Sequence, residues 1–75
     1  MSRCPAAHPE DPTPCAGLPV VTVLDRKNAG LDGCEYHGAR FLASLDGGRV
    51  YALPDAPSKA ALRVFKAAAT TRPYA

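Results

Sequence analysis

The stretch Gly33-Cys34-Glu35-Tyr36-His37-Gly38 decides how this chain folds, because it sets a thiol and an imidazole three residues apart between two glycines. Two such groups can grip one ion from the same side. The backbone between them makes a tight turn, aims both side chains inward and leaves amide N–H groups pointing at the sulfur. The flanking glycines are expected to give that turn its conformational freedom. One pair supplies half a site, so the other half has to come from elsewhere in the chain.

The remaining thiols and imidazole are Cys4, His8 and Cys15, all within residues 1–19. That segment carries Pro5, Pro9, Pro12, Pro14 and Pro19. Each proline ring fixes its own φ and pushes the preceding residue away from helix, so the segment reads as an irregular extended loop. A cysteine in such a loop has no packing reason to be there. The favoured ligand set is therefore Cys4, Cys15, Cys34 and His37, with His8 in reserve, since Cys4-x3-His8 is also a workable bite. Buried but metal-free cysteines, or a Cys4–Cys15 disulfide with Cys34 free, are the competing readings.

Length makes a staple necessary. A chain of 75 residues holds one domain and buries too little of its unfolded-chain surface to be comfortably stable without a disulfide, a metal or a partner. Three cysteines cannot all be used by disulfides. The first residues, Met1 to Pro5, have no apolar core of the kind a secretory signal needs, and Glu10 and Asp11 argue against a transit peptide, so a cytoplasmic location is expected. Thiols stay reduced there, and a gathered set of thiols and imidazole favours zinc.

Two strands and two helices are expected around this site. Val20-Val21-Thr22-Val23-Leu24 is β-branched and apolar on both faces, as in a short buried strand. Asp25 to Gly30 turns the chain, with Asn28 and Gly30 available for φ > 0, and Leu31-Asp32-Gly33 leads into Cys34. A helix over 35–45 places Phe41, Leu42 and Leu45 at helical spacing and stops at Asp46-Gly47-Gly48. Arg49 to Leu53 is the second strand. A second helix, capped by Asp55 or Ser58, runs to about Ala69; Ala61, Leu62, Val64, Phe65, Ala68 and Ala69 form its apolar face. Residues 70–75 are a tail. The fold class is α+β, one zinc-stabilised domain over 1–75.

Little in the chain suggests catalysis. His8-Pro9-Glu10 and Pro14-Cys15 are superficially like the elements of zinc deaminases, but no second cysteine follows Cys15 at the required spacing. Cys34 with His37 as a nucleophilic pair lacks an orienting third group. Four protein ligands would close the metal to water, which makes the site structural.

On these residues the chain resembles the treble-clef group of zinc fingers, over roughly residues 4–45, and is similar to small zinc-finger-like proteins of actinobacteria. The resemblance implies a ligand-bearing loop before a β-hairpin and a second ligand pair where a helix begins, as Cys34 and His37 stand here. The chain departs from it in lacking a tightly spaced first pair and in having a strand and a helix after the finger.

Charge speaks to partners. The net charge is only +2, but residues 37–75 hold Arg40, Arg49, Lys59, Arg63, Lys66 and Arg72 against Asp46 and Asp55. Lys59, Arg63 and Lys66 recur along one helix face, with Arg40 and Arg49 extending the patch, which points to nucleic-acid binding. The alternative is a protein-interaction module anchored by Tyr36 and Tyr74. No small-molecule substrate and no membrane is expected; no apolar run approaches the ~20 residues that span a bilayer.

Overall fold

The structure, a computed structural model, describes residues 3–74; Met1, Ser2 and Ala75, which the 1–75 domain span includes, lie outside the described residues. The chain runs β1 (Val21–Leu24), β2 (Gly30–Gly33), α1 (Glu35–Ala43), β3 (Arg49–Ala52) and α2 (Ala60–Ala68). The fold is α+β: two helices and one antiparallel sheet of strand order β2-β1-β3. The sheet has three strands and not the two expected. The segment read as a lead-in to Cys34 pairs along its whole length with β1, from Leu24 opposite Gly30 to Val21 opposite Gly33.

The hairpin closes as its residues dictate. Asn28 takes φ 66°. Asp25 fastens the turn by accepting from the Lys27 N–H (2.8 Å) and the Ala29 N–H (3.0 Å) through Oδ1. On the other side of β1, Val23 faces Val50 and Val21 faces Ala52. Val21 and Val23 turn to the helices and are fully buried with Ala39 and Leu42 of α1 and Ala60 and Val64 of α2. Tyr51, opposite Thr22 in register, stands on the other face of the sheet and is half exposed.

Helix α2 departs from its sequence reading in two ways. Its N-cap is Lys59, in the left-handed region at φ 64° and with no side-chain cap, so neither Asp55 nor Ser58 caps it. Its apolar face is also only partly used. Ala60 and Val64 are buried, but Leu62 is 45% and Phe65 64% exposed. A nine-residue α1 and three four-residue strands offer a surface wide enough for one narrow stripe of α2, and small alanines fill it. Helix α1 ends at a Ser44 cap, two residues short of the expected Leu45.

Candidate metal centre

A second, smaller buried cluster lies at the other end of α1: Cys4, Ala6 and Cys34, with Ala7, Cys15, Tyr36 and Phe41 packed against it. The proline-rich leader reaches it because it is tied to the sheet. The Ala6 N–H donates to the Asp32 carbonyl (3.0 Å) and the Val20 N–H to the Gly33 carbonyl (2.9 Å), bracketing the loop at both ends. Hairpin and helix then deliver Cys34 and His37 to the same place.

Cys34 is the N-cap of α1. Its extended backbone starts the helix, and its Sγ accepts from the His37 N–H at 3.3 Å, the role an oxygen side chain ordinarily fills. A thiolate there also meets the positive end of the helix dipole. Gly33 and Gly38, expected to lend the turn freedom, serve instead for close approach: neither is in the left-handed region. A Cβ on Gly33 would lie 2.8 Å from Ala6 Cβ and 3.0 Å from Gly38 Cα. One on Gly38 would lie 3.0 Å from Val21 Cγ2.

The result is a three-cysteine, one-histidine cluster. One ligand atom from each of Cys4, Cys15, Cys34 and His37 lies within 4.8 Å of all the others, and such a cluster could hold a metal ion. His37 is fully buried and points Nδ1 at the sulfurs, 3.3 Å from Cys34 Sγ and 3.6 Å from Cys4 Sγ. Backbone N–H groups aim at the sulfurs as well: Cys4 N–H at Cys15 Sγ (3.3 Å) and Ala16 N–H at Cys34 Sγ (3.4 Å). All three cysteines are free, so the disulfide reading fails.

Electrostatics differ across the cluster. Burial, aided by the nearby Cys34 sulfur, pushes the Cys4 thiol up to about 11, so it keeps its proton until a cation takes its place. The Cys4 N–H bonded to Cys15 Sγ, with Arg3 adding to it, pulls the Cys15 thiol down. Burial holds His37 below the ordinary imidazole value, with Arg3 adding to burial and Asp11 opposing it; a neutral ring is what a metal ligand requires.

His8 is not in the cluster. Its Nδ1 accepts from the Glu10 N–H (3.1 Å), and its ring lies against Tyr74 at a 5.1 Å centroid separation. Tyr36 and Tyr74, expected as interface anchors, are half-buried and make contacts within the chain. Tyr36 meets the His37 ring edge-on at 5.0 Å, and Tyr74 Oη donates to the Ala6 carbonyl at 2.9 Å.

Three of the cations expected to form a basic surface also bond to groups of the chain itself. Arg40 donates to Asp11 Oδ2 (2.7 Å) and to the carbonyls of Arg72 (2.8 Å) and Pro73 (3.3 Å). Arg63 pairs with both oxygens of Glu35 at 3.2 Å, and Arg49 bonds the Asp25 carbonyl and Asn28 Oδ1. Lys59, the N-cap of α2, and Lys66 on it are exposed, as are Arg49 and Arg63; Arg40 is half-buried. Sequence reasoning missed Asp11 and Arg3, which sit against His37. The Asp11-x-Thr13 turn, in which Asp11 Oδ1 accepts from the Thr13 N–H, was the one local hint.

No family model, no curated protein and no solved structure matches this chain. Among the described residues, no helix is long and apolar enough to cross a membrane.

Proposed function

We infer that this chain is a zinc-stabilised binding module whose metal is structural. The observation that carries the reading is the convergence of Cys4, Cys15, Cys34 and His37 within 4.8 Å, with backbone N–H groups directed at the sulfurs. Tetrahedral zinc, with bonds of about 2.3 Å to sulfur and 2.0–2.1 Å to nitrogen, spaces its ligand atoms about 3.5–3.8 Å apart. The nitrogen–sulfur separations of 3.3 and 3.6 Å fit that spacing. Three soft thiolates and one imidazole suit zinc better than a hard cation, and four protein ligands leave no position for water or substrate. The ion would supply folding energy by joining the leader to the hairpin and α1. Native mass spectrometry of the chain, with each of the four ligands and His8 changed singly to alanine, tests the assignment. One zinc per chain is expected in the wild type and His8→Ala proteins and is lost with any of the four.

A protein partner fits the outer surface better than nucleic acid does. Leu62 and Phe65, one turn apart on α2, are exposed between the exposed cations Lys59 and Lys66. This pattern suits an apolar segment flanked by acidic residues. Arg40, Arg49 and Arg63 already bond to carboxylate or carbonyl groups of the chain, Arg49 and Arg63 at its surface, and these contacts compete with phosphate. Duplex DNA held by Lys59 and Lys66 alone would show a salt slope of only about −1.8. A partner captured from lysate that survives nuclease and high salt, and is lost with Phe65→Ser, supports the protein reading. Capture abolished by nuclease supports the other.

A further inference from the structure

We propose that Asp11 is a positioning residue for the metal centre, and that Arg40 and the C-terminal segment Arg72–Tyr74 hold it in place. The tail thereby helps set how tightly the cluster keeps its ion. This rests on the reading above that the cluster binds a metal.

His37 has two ring nitrogens with separate tasks. Nδ1 faces the sulfurs; Nε2 faces away, 3.6 Å from Asp11 Oδ2 and 3.2 Å from Arg3 Nη2. With an ion on Nδ1, the ring proton resides on Nε2. Arg3 has no acceptor to offer it, and its Nη2 already donates to the Thr13 carbonyl at 2.8 Å. The Asp11 carboxylate is the partner that can accept, once 3.6 Å closes by a few tenths of an ångström to hydrogen-bond length. A carboxylate behind a ligating histidine fixes its tautomer and ring orientation and makes it a stronger donor to the metal.

Asp11 is itself built in. It is 5% exposed, and Oδ1 accepts from the Thr13 N–H at 2.9 Å while Oδ2 accepts from Arg40 Nη1 at 2.7 Å. Arg40 is held in turn by the Arg72 and Pro73 carbonyls and by Tyr74, whose ring centroid lies 4.6 Å from the guanidinium carbon. Tyr74 closes the chain of contacts onto the ligand loop: Oη donates to the Ala6 carbonyl and accepts from the His8 N–H at 3.3 Å. Ala6 and His8 lie between Cys4 and Asp11 in sequence. The tail, the half-buried arginine, the carboxylate and the imidazole are thus one connected series that ends at the cluster.

The test uses the full chain and zinc itself. Zinc affinity is measured by competition with a chromophoric chelator for the wild type, Asp11→Asn, Tyr74→Ala and the double variant, with Arg63→Ala as a control away from the series. Asp11→Asn is expected to weaken zinc by about ten- to a hundredfold. Tyr74→Ala should weaken it less, the double variant no more than Asp11→Asn alone, and Arg63→Ala not at all. In parallel, proton NMR of the loaded wild type should show one slowly exchanging imidazole N–H, and Asp11→Asn should make it exchange faster. Wild-type affinity in Asp11→Asn, additive losses in the double variant, or no protected imidazole N–H in the loaded wild type would each overturn the proposal. The last readout needs no variant to fold. A wild type that takes up no zinc would sink the metal reading instead, a separate outcome.

Discussion

Replacing Gly33 by alanine tests whether the leader and α1 are packed as closely as the structure indicates. The new methyl would sit 2.8 Å from Ala6 Cβ, 3.0 Å from Gly38 Cα and 3.1 Å from Gly38 N. Carbon atoms at their optimum are about 3.5–4.0 Å apart, so the backbones must separate by roughly 0.5–1 Å. Two of those three contacts are main chain at the first turn of α1, which cannot rotate away. Overpacking of this kind costs about 1–3 kcal/mol. Alanine's smaller unfolded-state freedom offsets about 0.4–1 kcal/mol of it. Taken at their centres the two leave a net loss of about 1.3 kcal/mol, which in a domain of this size lowers Tm by about 5–10 °C. Thermal unfolding of the metal-replete protein by circular dichroism reads it directly. Adding Ala6→Gly removes the closest contact and should restore part of the loss, leaving the Gly38 contribution. An unchanged or raised Tm in Gly33→Ala would refute the packing argument, and a rescue by Ala6→Gly that is complete would show that the Gly38 contacts carry no cost.

Two further outcomes follow from burial and charge. Val64→Ala, at a fully buried position on α2, should lose roughly 1.5–3 kcal/mol, whereas Phe65→Ser one residue on, 64% exposed, should change stability by less than about 0.5 kcal/mol in denaturant titration. Stability should also fall in acid. His37 is held below 6.5, so below that pH the unfolded chain takes up a proton that the folded chain refuses, and stability is lost progressively as pH drops from 6.5 toward the folded value. Asp11 acts lower. Burial alone would raise it, but the Thr13 and Arg40 hydrogen bonds hold it below 3.8, so its contribution is present above 3.8 and disappears as pH falls through its folded value. Urea midpoints across this range should therefore decline below pH 6.5, and a midpoint that rises on acidification from 7 to 5 would contradict the assignment of a buried neutral His37.

Much of the cysteine–histidine cluster is legible because ligand chemistry is local. Cys34 and His37 announce themselves by spacing, and Cys4 and Cys15 by standing in a loop that gives a cysteine nothing to pack against. That Cys15 joins the cluster while His8 lies against Tyr74 across the chain is a placement no spacing encodes. Strand β1 was plain from its β-branched run. Strand β2 was not, because Gly30-Leu31-Asp32-Gly33 has no β-branched residue, and its glycines serve close approach: a Cβ on Gly30 would collide with the Val23 carbonyl oxygen. Helix α2 was found, but periodicity gives the width of an apolar stripe and not how much of it a small domain can cover. Arg40 read as surface charge because its partners, Asp11 and the tail carbonyls, are about thirty residues away in either direction.

The most direct measurement is the native mass and fold of the chain before and after chelation. One zinc ion per chain is expected and, since binding free energy of about 10 kcal/mol or more at such sites is folding free energy, so is loss of cooperative structure when a chelator removes it. A protein that is free of metal as isolated, and still unfolds in a single sharp transition, would contradict this.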